Sequence, residues 1–262
     1  MPCPHAQSAT TPASAAPKGV SGDGPTAAEA DLDAFIRARD FPCVGAKAAL
    51  VRGALEMKTL GSLLSNNDDM ALWLALSKFA DTLDPEAAVV QSFAVSFPDT
   101  PDLSEIAFER ALWERINGLH YLDTQMGQSW SGDTEADPRS NKFSLSVAGE
   151  SFFVIGLHPG ASRPARRFDH ACLVFNSNAQ FARLREDGRY YQMQSIIRER
   201  DTALAGSINP MLRDFGQGSE AAQYSGRLVG EDWQCPFSGR KPVNLPLDPD
   251  AALIEALVEA AE

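Results

Sequence analysis

The chain has 262 residues, 44% of them hydrophobic, and 23 Lys/Arg against 35 Asp/Glu, for a net charge of −12. Length and apolar share suffice for one sizeable core, and the acidic balance argues against nucleic acid as a main partner. No run approaches the roughly 18 consecutive apolar residues of a membrane span, so no membrane partner is expected.

Residues 1–26 (MPCPHAQSATTPASAAPKGVSGDGPT) lack the apolar stretch of a secretory signal. They hold too few large apolar side chains to offset their ordering entropy. We read them as a disordered tail, discount Cys3 and His5 with it, and expect a single domain over 27–262. Leu32, Phe35 and Ile36 mark a helix over 27–38, and CVGAKAALVRGAL predicts a second over 43–55. Asp68 and Asp69 open a helix that ends before Asp84-Pro85. Residues 89–97 alternate as a strand. Asp102 or Ser104 caps a long helix to about Asp123, with Ile106, Trp113, Ile116 and His120 on one face.

The polar stretch 124–141 reads as a mobile loop. Residues 142–148 and 151–157, separated by Gly149-Glu150, form a hairpin signal. Residues 171–175 (ACLVF) predict a third strand nearby, and 178–186 and 190–204 predict helices. Residues 206–241 are irregular, and a capped helix over 250–261 closes the chain. Strands gathered in the middle with helices on either side predict an α+β fold, its central sheet mainly antiparallel and flanked by helices. Cys3, Cys43, Cys172 and Cys235 show no CxxC spacing, so neither a zinc ribbon nor a disulfide scaffold is indicated and a reducing cytoplasm is expected. GxGxxG, Walker, HExxH and GxSxG motifs are absent.

The most informative stretch is 152–168, FFVIGLHPGASRPARRF. An apolar run ends at His158, and Arg163, Arg166 and Arg167 follow. Residues 1–162 hold 11 Lys/Arg against 21 Asp/Glu, whereas 163–241 hold 12 against 9, so the only net-basic region begins here. A neutral imidazole is a good iron ligand, and guanidiniums bind carboxylates through a planar fork. A heme with its two propionates needs both. The structural alternatives are a strand-end histidine bonded to a carbonyl and a solvated basic loop. Cys43, at a helix start, and Cys235 are alternative thiolate ligands. His120 is a further reserve. The long irregular stretch 206–227 carries Asn209, Gln223, Tyr224 and Arg227 and suits a pocket wall that binds substrate. Glu105, Asp123 and Glu220 are carboxylates able to pair with a cationic substrate.

FPCVGAKAAL, FFVIGLHPGASRPARRF, VFNSNAQFARLR, IRERD, GSINPML, EAAQYSGR and WQCPF resemble, in that order over 41–237, the blocks of the YqcI/YcgG family. The resemblance implies a heme-dependent monooxygenase that hydroxylates a guanidino nitrogen of arginine or a related small amine, within natural-product pathways. It implies heme b, O2 and an external electron donor, and leaves open a homodimer. On it, His158 becomes the expected iron ligand, Cys43 its main rival, and Arg163, Arg166 and Arg167 the propionate clamp. The loop 124–141 is expected to close over the site. A non-catalytic heme sensor or carrier is the alternative.

Overall fold

A computed structural model describes residues 24–211 and 219–252. The period-two strands form one five-stranded sheet, in the order β1 (Leu55–Thr59), β2 (Ser92–Phe97), β5 (Ala171–Ser177), β4 (Glu150–Leu157), β3 (Leu145–Val147). β1 runs parallel to β2 and every other pair is antiparallel. The expected α+β class with a mainly antiparallel, helix-flanked sheet is therefore present. The hairpin turns at Ala148 and Gly149, with φ of 53° and 79°, between the paired Val147 and Glu150. Two successive positive φ values define the primed turn whose twist suits a two-residue hairpin.

One expected element is corrected. The helix predicted over 43–55 spans only Val44–Val51 (α2). Gly53 at φ 66° turns the chain out of the helix, and Leu55–Thr59 becomes the edge strand β1. A crossover through α3 (Asp69–Ala80) then returns the chain parallel, which makes the sheet mixed.

Alternation along the strands splits the interior into two faces. Phe93, Val95, Phe152, Val154, Leu173 and Phe175 meet α3 and the long helix α4 (Glu105–Gln125) in the main core. Gly156 lets α4 approach, because a Cβ there would sit 2.6 Å from the Phe108 ring. Ile106, expected on the buried face of α4, lies on its first turn and is half exposed. On the opposite face, Ala94, Ile155, Leu157 and Val174 meet Leu32 and Ile36 of α1 (Ala27–Arg37) and Ala46 of α2. Thr26 closes a capping box on α1, so the predicted tail ends at or before it. The rest of that tail, 1–23, and most of the predicted helix over 250–261 lie outside the described residues.

Residues 225–247 cross α4 as an irregular strap. Its backbone groups are paired by the buried polar side chains of α4. Asn117 accepts from the Ser238 and Gly239 N–H groups at 3.0 Å, and Arg115 donates to the Val243 carbonyl. Glu109 pairs with Arg227, and Glu114 with Arg240. No helix among the described residues is long and apolar enough to cross a membrane.

Candidate functional site

The second face is hollow. A cavity of about 320 Å³ lies between the sheet and α6 (Arg189–Ala205). Its floor is Ala94, Phe153, Ile155, Leu157 and Val174. Its roof is the inner stripe of α6: Tyr190, Met193, Gln194, Ile197, Arg198 and Asp201. These recur every three or four residues, so they share one helical face. Asp201 alone of the helix is buried, because that face meets a void where another helix would meet core. Left-handed glycines bound the helix, Gly188 at φ 80° and Gly206 at φ 73°.

Cys43 stands in the cavity wall. It is the N-cap of α2, and its Sγ accepts the Ala46 N–H at 3.4 Å. Burial pushes the thiol pKa up, while the Ala46 and Gly45 N–H groups and the Arg166 charge pull it down. Gly45 keeps the wall lean, since a Cβ there would lie 3.0 Å from the Met193 sulfur and 3.8 Å from Cys43 Sγ.

His158 does not line the cavity. Leu157 occupies the cavity face of β4, so the next residue points to the other side. The His158 ring stacks on Phe108, with centroids 4.1 Å apart and planes at 13°, and is 2% exposed. Its Nδ1 has no hydrogen-bond partner among the described residues. Burial lowers its pKa to about 4, with the Glu105 charge opposing and the Arg166 charge reinforcing.

The three arginines separate. Arg163 lines the cavity, pairs with Asp201 of α6 and donates to the Ser207 carbonyl at 3.1 Å. Arg166 also lines it, yet its guanidinium is spent on the carbonyls of Gly156 (2.9 Å), Gln223 (3.1 Å) and Tyr224 (3.3 Å). Burial brings its pKa down to about 10. Arg167 turns away and binds the Ala161 and Ser162 carbonyls.

The arrangement around Arg166 follows from strand lengths. β3 has three residues and β4 eight, so the far half of β4 has an open edge. Such an edge needs other partners. The Gly156 N–H donates to the Tyr224 carbonyl at 2.7 Å, and the Tyr224 hydroxyl reaches the Phe152 carbonyl at 3.1 Å. A 3-10 turn over Glu220–Gln223 is thereby locked against β4.

Of the expected substrate-binding residues, Asn209 and Gln223 line the cavity and Tyr224 and Arg227 do not. Tyr224 is a core residue stacked on Trp113, and burial raises its pKa. Arg227 belongs to the Glu109 pair beneath the strap. Among the carboxylates, Glu220 is in the wall, Glu105 accepts from Ser162, and Asp123 accepts from Trp73 and Ala148. Neither reserve ligand faces the cavity. His120 packs against Trp130 and Phe237, and Cys235 packs on the main core with its thiol pushed up to about 12 by burial. The 124–141 loop, expected as a lid, lies beside β3 instead, with Ser131 bonded to Ser146 and Trp130 packed on Phe143. The roof is α6. Its signal in the sequence is the placement of Gln194, Arg198 and Asp201 on the same stripe as Met193 and Ile197, a mixed face that a core helix avoids.

A family model described as the YqcI/YcgG family matches residues 32–238. No curated protein and no solved structure matches the chain. The match spans most of the chain and takes in every described wall of the cavity, from Leu32 on α1 to Gln223. The chain belongs to the YqcI/YcgG family.

Proposed function

We propose that the protein is a heme-dependent N-oxygenase acting on a guanidino nitrogen of a small substrate, with Cys43, in place of His158, as the residue that would hold the heme iron. The observation that carries this reading is the cavity around Cys43. A thiol that accepts a helix N-terminal N–H lines the cavity; burial raises its pKa, while that terminus and the Arg166 charge favour the thiolate. The apolar floor beneath the mixed face of α6 suits a flat macrocycle, and Arg163 and Arg166, engaged by Asp201 and by backbone carbonyls, bring to the wall the guanidinium charge that propionates would need. His158 fits less well, because its ring is enclosed between β4 and Phe108.

Heme, when bound, supplies O2 activation with electrons from an external donor, and a thiolate ligand favours O–O cleavage. The chain's own residues hold and position. Cys43 would hold the cofactor, and the Ala46 N–H steadies its sulfur. Arg163 ties α6 to the wall of the chamber through Asp201. Asn209 and Gln223 offer hydrogen bonds that orient a small polar substrate. A cytoplasmic setting, where the thiol stays reduced, belongs to the same reading.

The test is expression with a heme precursor, followed by turnover of L-arginine and related guanidines with O2 and a reductase. Hydroxyguanidine product that requires heme supports the reading. Tight heme uptake without any substrate-dependent reductant consumption would move it to a heme sensor or carrier.

A further inference from the structure

Two carboxylates belong to the described cavity wall, Asp201 and Glu220. Asp201 is taken by Arg163. Glu220 accepts no hydrogen bond from any described residue. It sits three residues before Gln223 on the 3-10 turn, so both side chains leave the same face of the turn, towards the cavity. Ala221 and Tyr224 of the same segment go to the core. The turn cannot drift, because Arg166 grips the Gln223 and Tyr224 carbonyls and Tyr224 is bonded into the β4 edge.

We propose that Glu220 is the specificity residue of this cavity, receiving the cationic guanidinium of the substrate with the Gln223 amide beside it. The inference rests on the proposed function only for the choice of guanidinium as the cation. A half-buried carboxylate with no hydrogen-bond donor among the described residues is under-satisfied, and a planar guanidinium satisfies both of its oxygens at once. Burial raises the Glu220 pKa and the Arg185 charge only partly opposes it, so an arriving cation restores the charged form. A neutral isostere cannot do this. The cavity should therefore separate L-arginine from L-citrulline, which replaces the guanidinium with a urea of the same shape.

Calorimetric titration of the full-length protein with L-arginine and L-citrulline, for wild type and Glu220→Gln and Glu220→Asp, tests this without any turnover. The expected result is arginine bound at least about tenfold tighter than citrulline by wild type. Glu220→Gln should abolish that preference and Glu220→Asp should keep part of it. A merely structural Glu220 would weaken both ligands alike. Equal affinity of wild type for the two amino acids, no binding of either, or an unchanged preference in Glu220→Gln would overturn the inference. The Soret absorbance of each variant is read in parallel. Retained heme with an unchanged preference sinks the role of Glu220 alone. Absent heme with a Glu220-dependent preference keeps this inference and sinks the oxygenase reading.

Discussion

Where His158 and Cys43 lie relative to the cavity is decided at single residues. A strand residue has two directions, and Leu157 takes the one towards the cavity. The imidazole is left between β4 and Phe108, too buried to carry a proton at neutral pH. Its folded pKa of about 4 lies below the ordinary 6.5, so the unfolded chain binds the extra proton between those values. This contribution is fully present above pH 6.5 and is lost as pH falls towards 4, by about 3 kcal/mol in all. His158→Phe keeps the stack and removes the titration. Urea unfolding from pH 7 to 4 should show the variant losing less stability than wild type, whereas parallel curves would contradict the account. Heme uptake should survive the substitution. The apolar run and the histidine were legible in the sequence, but the direction of the ring was not, since it depends on which face the register gives to Leu157. Cys43 was legible only as a helix-start thiol, because its neighbours in the cavity come from α6 and from the turn at Glu220.

At the scale of elements, α6 is the roof and Arg163–Asp201 its latch. Asp201→Ala leaves a buried guanidinium without its carboxylate, a change that costs about 3–5 kcal/mol when felt by a whole domain. Here the loss should stay local, since α6 buries little besides Asp201. Hydrogen exchange should speed up across 189–205 while α4 and β5 keep their protection. Uniform loss of protection would show that the roof is part of the global core. A second element prediction concerns the β4 edge. Arg166→Met removes the donors to three carbonyls and should cost about 2–5 kcal/mol in urea unfolding. A cost under about 1 kcal/mol would mean that the edge finds other partners.

Helices α5 (Asn178–Glu186) and α6 were legible from local periodicity, and the hairpin from its turn. β1 was hidden because LEMKT continues an apolar-polar mixture that also suits a helix, and only Gly53 separates the two. The strap across α4 could not be read at all. Glu109, Glu114, Arg115 and Asn117 look like a solvated face in sequence, and they are buried because residues far along the chain bring backbone to them. The cavity suffers from the same limit, since its walls come from segments spread between Leu32 and Gln223.

At the scale of the molecule, the sheet divides a packed half from a hollow half. The α3/α4 side holds the large aromatic core and the strap, while the α1/α2/α6 side encloses the cavity. Truncation should therefore cost unequal amounts on the two faces. Val154→Ala removes atoms from a filled core, and Ile155→Ala removes more atoms but from the wall of a void. Core truncations of this kind cost about 2–5 kcal/mol when a cavity is opened, and less where contacts were already missing. Thermal unfolding should find Val154→Ala at least as destabilising as the larger Ile155→Ala truncation. The reverse order would contradict a hollow second face.

The central claim is that this hollow half holds heme on Cys43. The most direct measurement is the absorption spectrum of full-length protein expressed with a heme precursor, oxidised, reduced and with CO, for wild type, Cys43→Ser and His158→Phe. The account predicts a Soret band in wild type and His158→Phe with the same ferrous-CO position, and its loss or a marked shift in Cys43→Ser. A Soret band unchanged in Cys43→Ser and lost in His158→Phe would contradict it, as would a wild-type protein that takes up no heme.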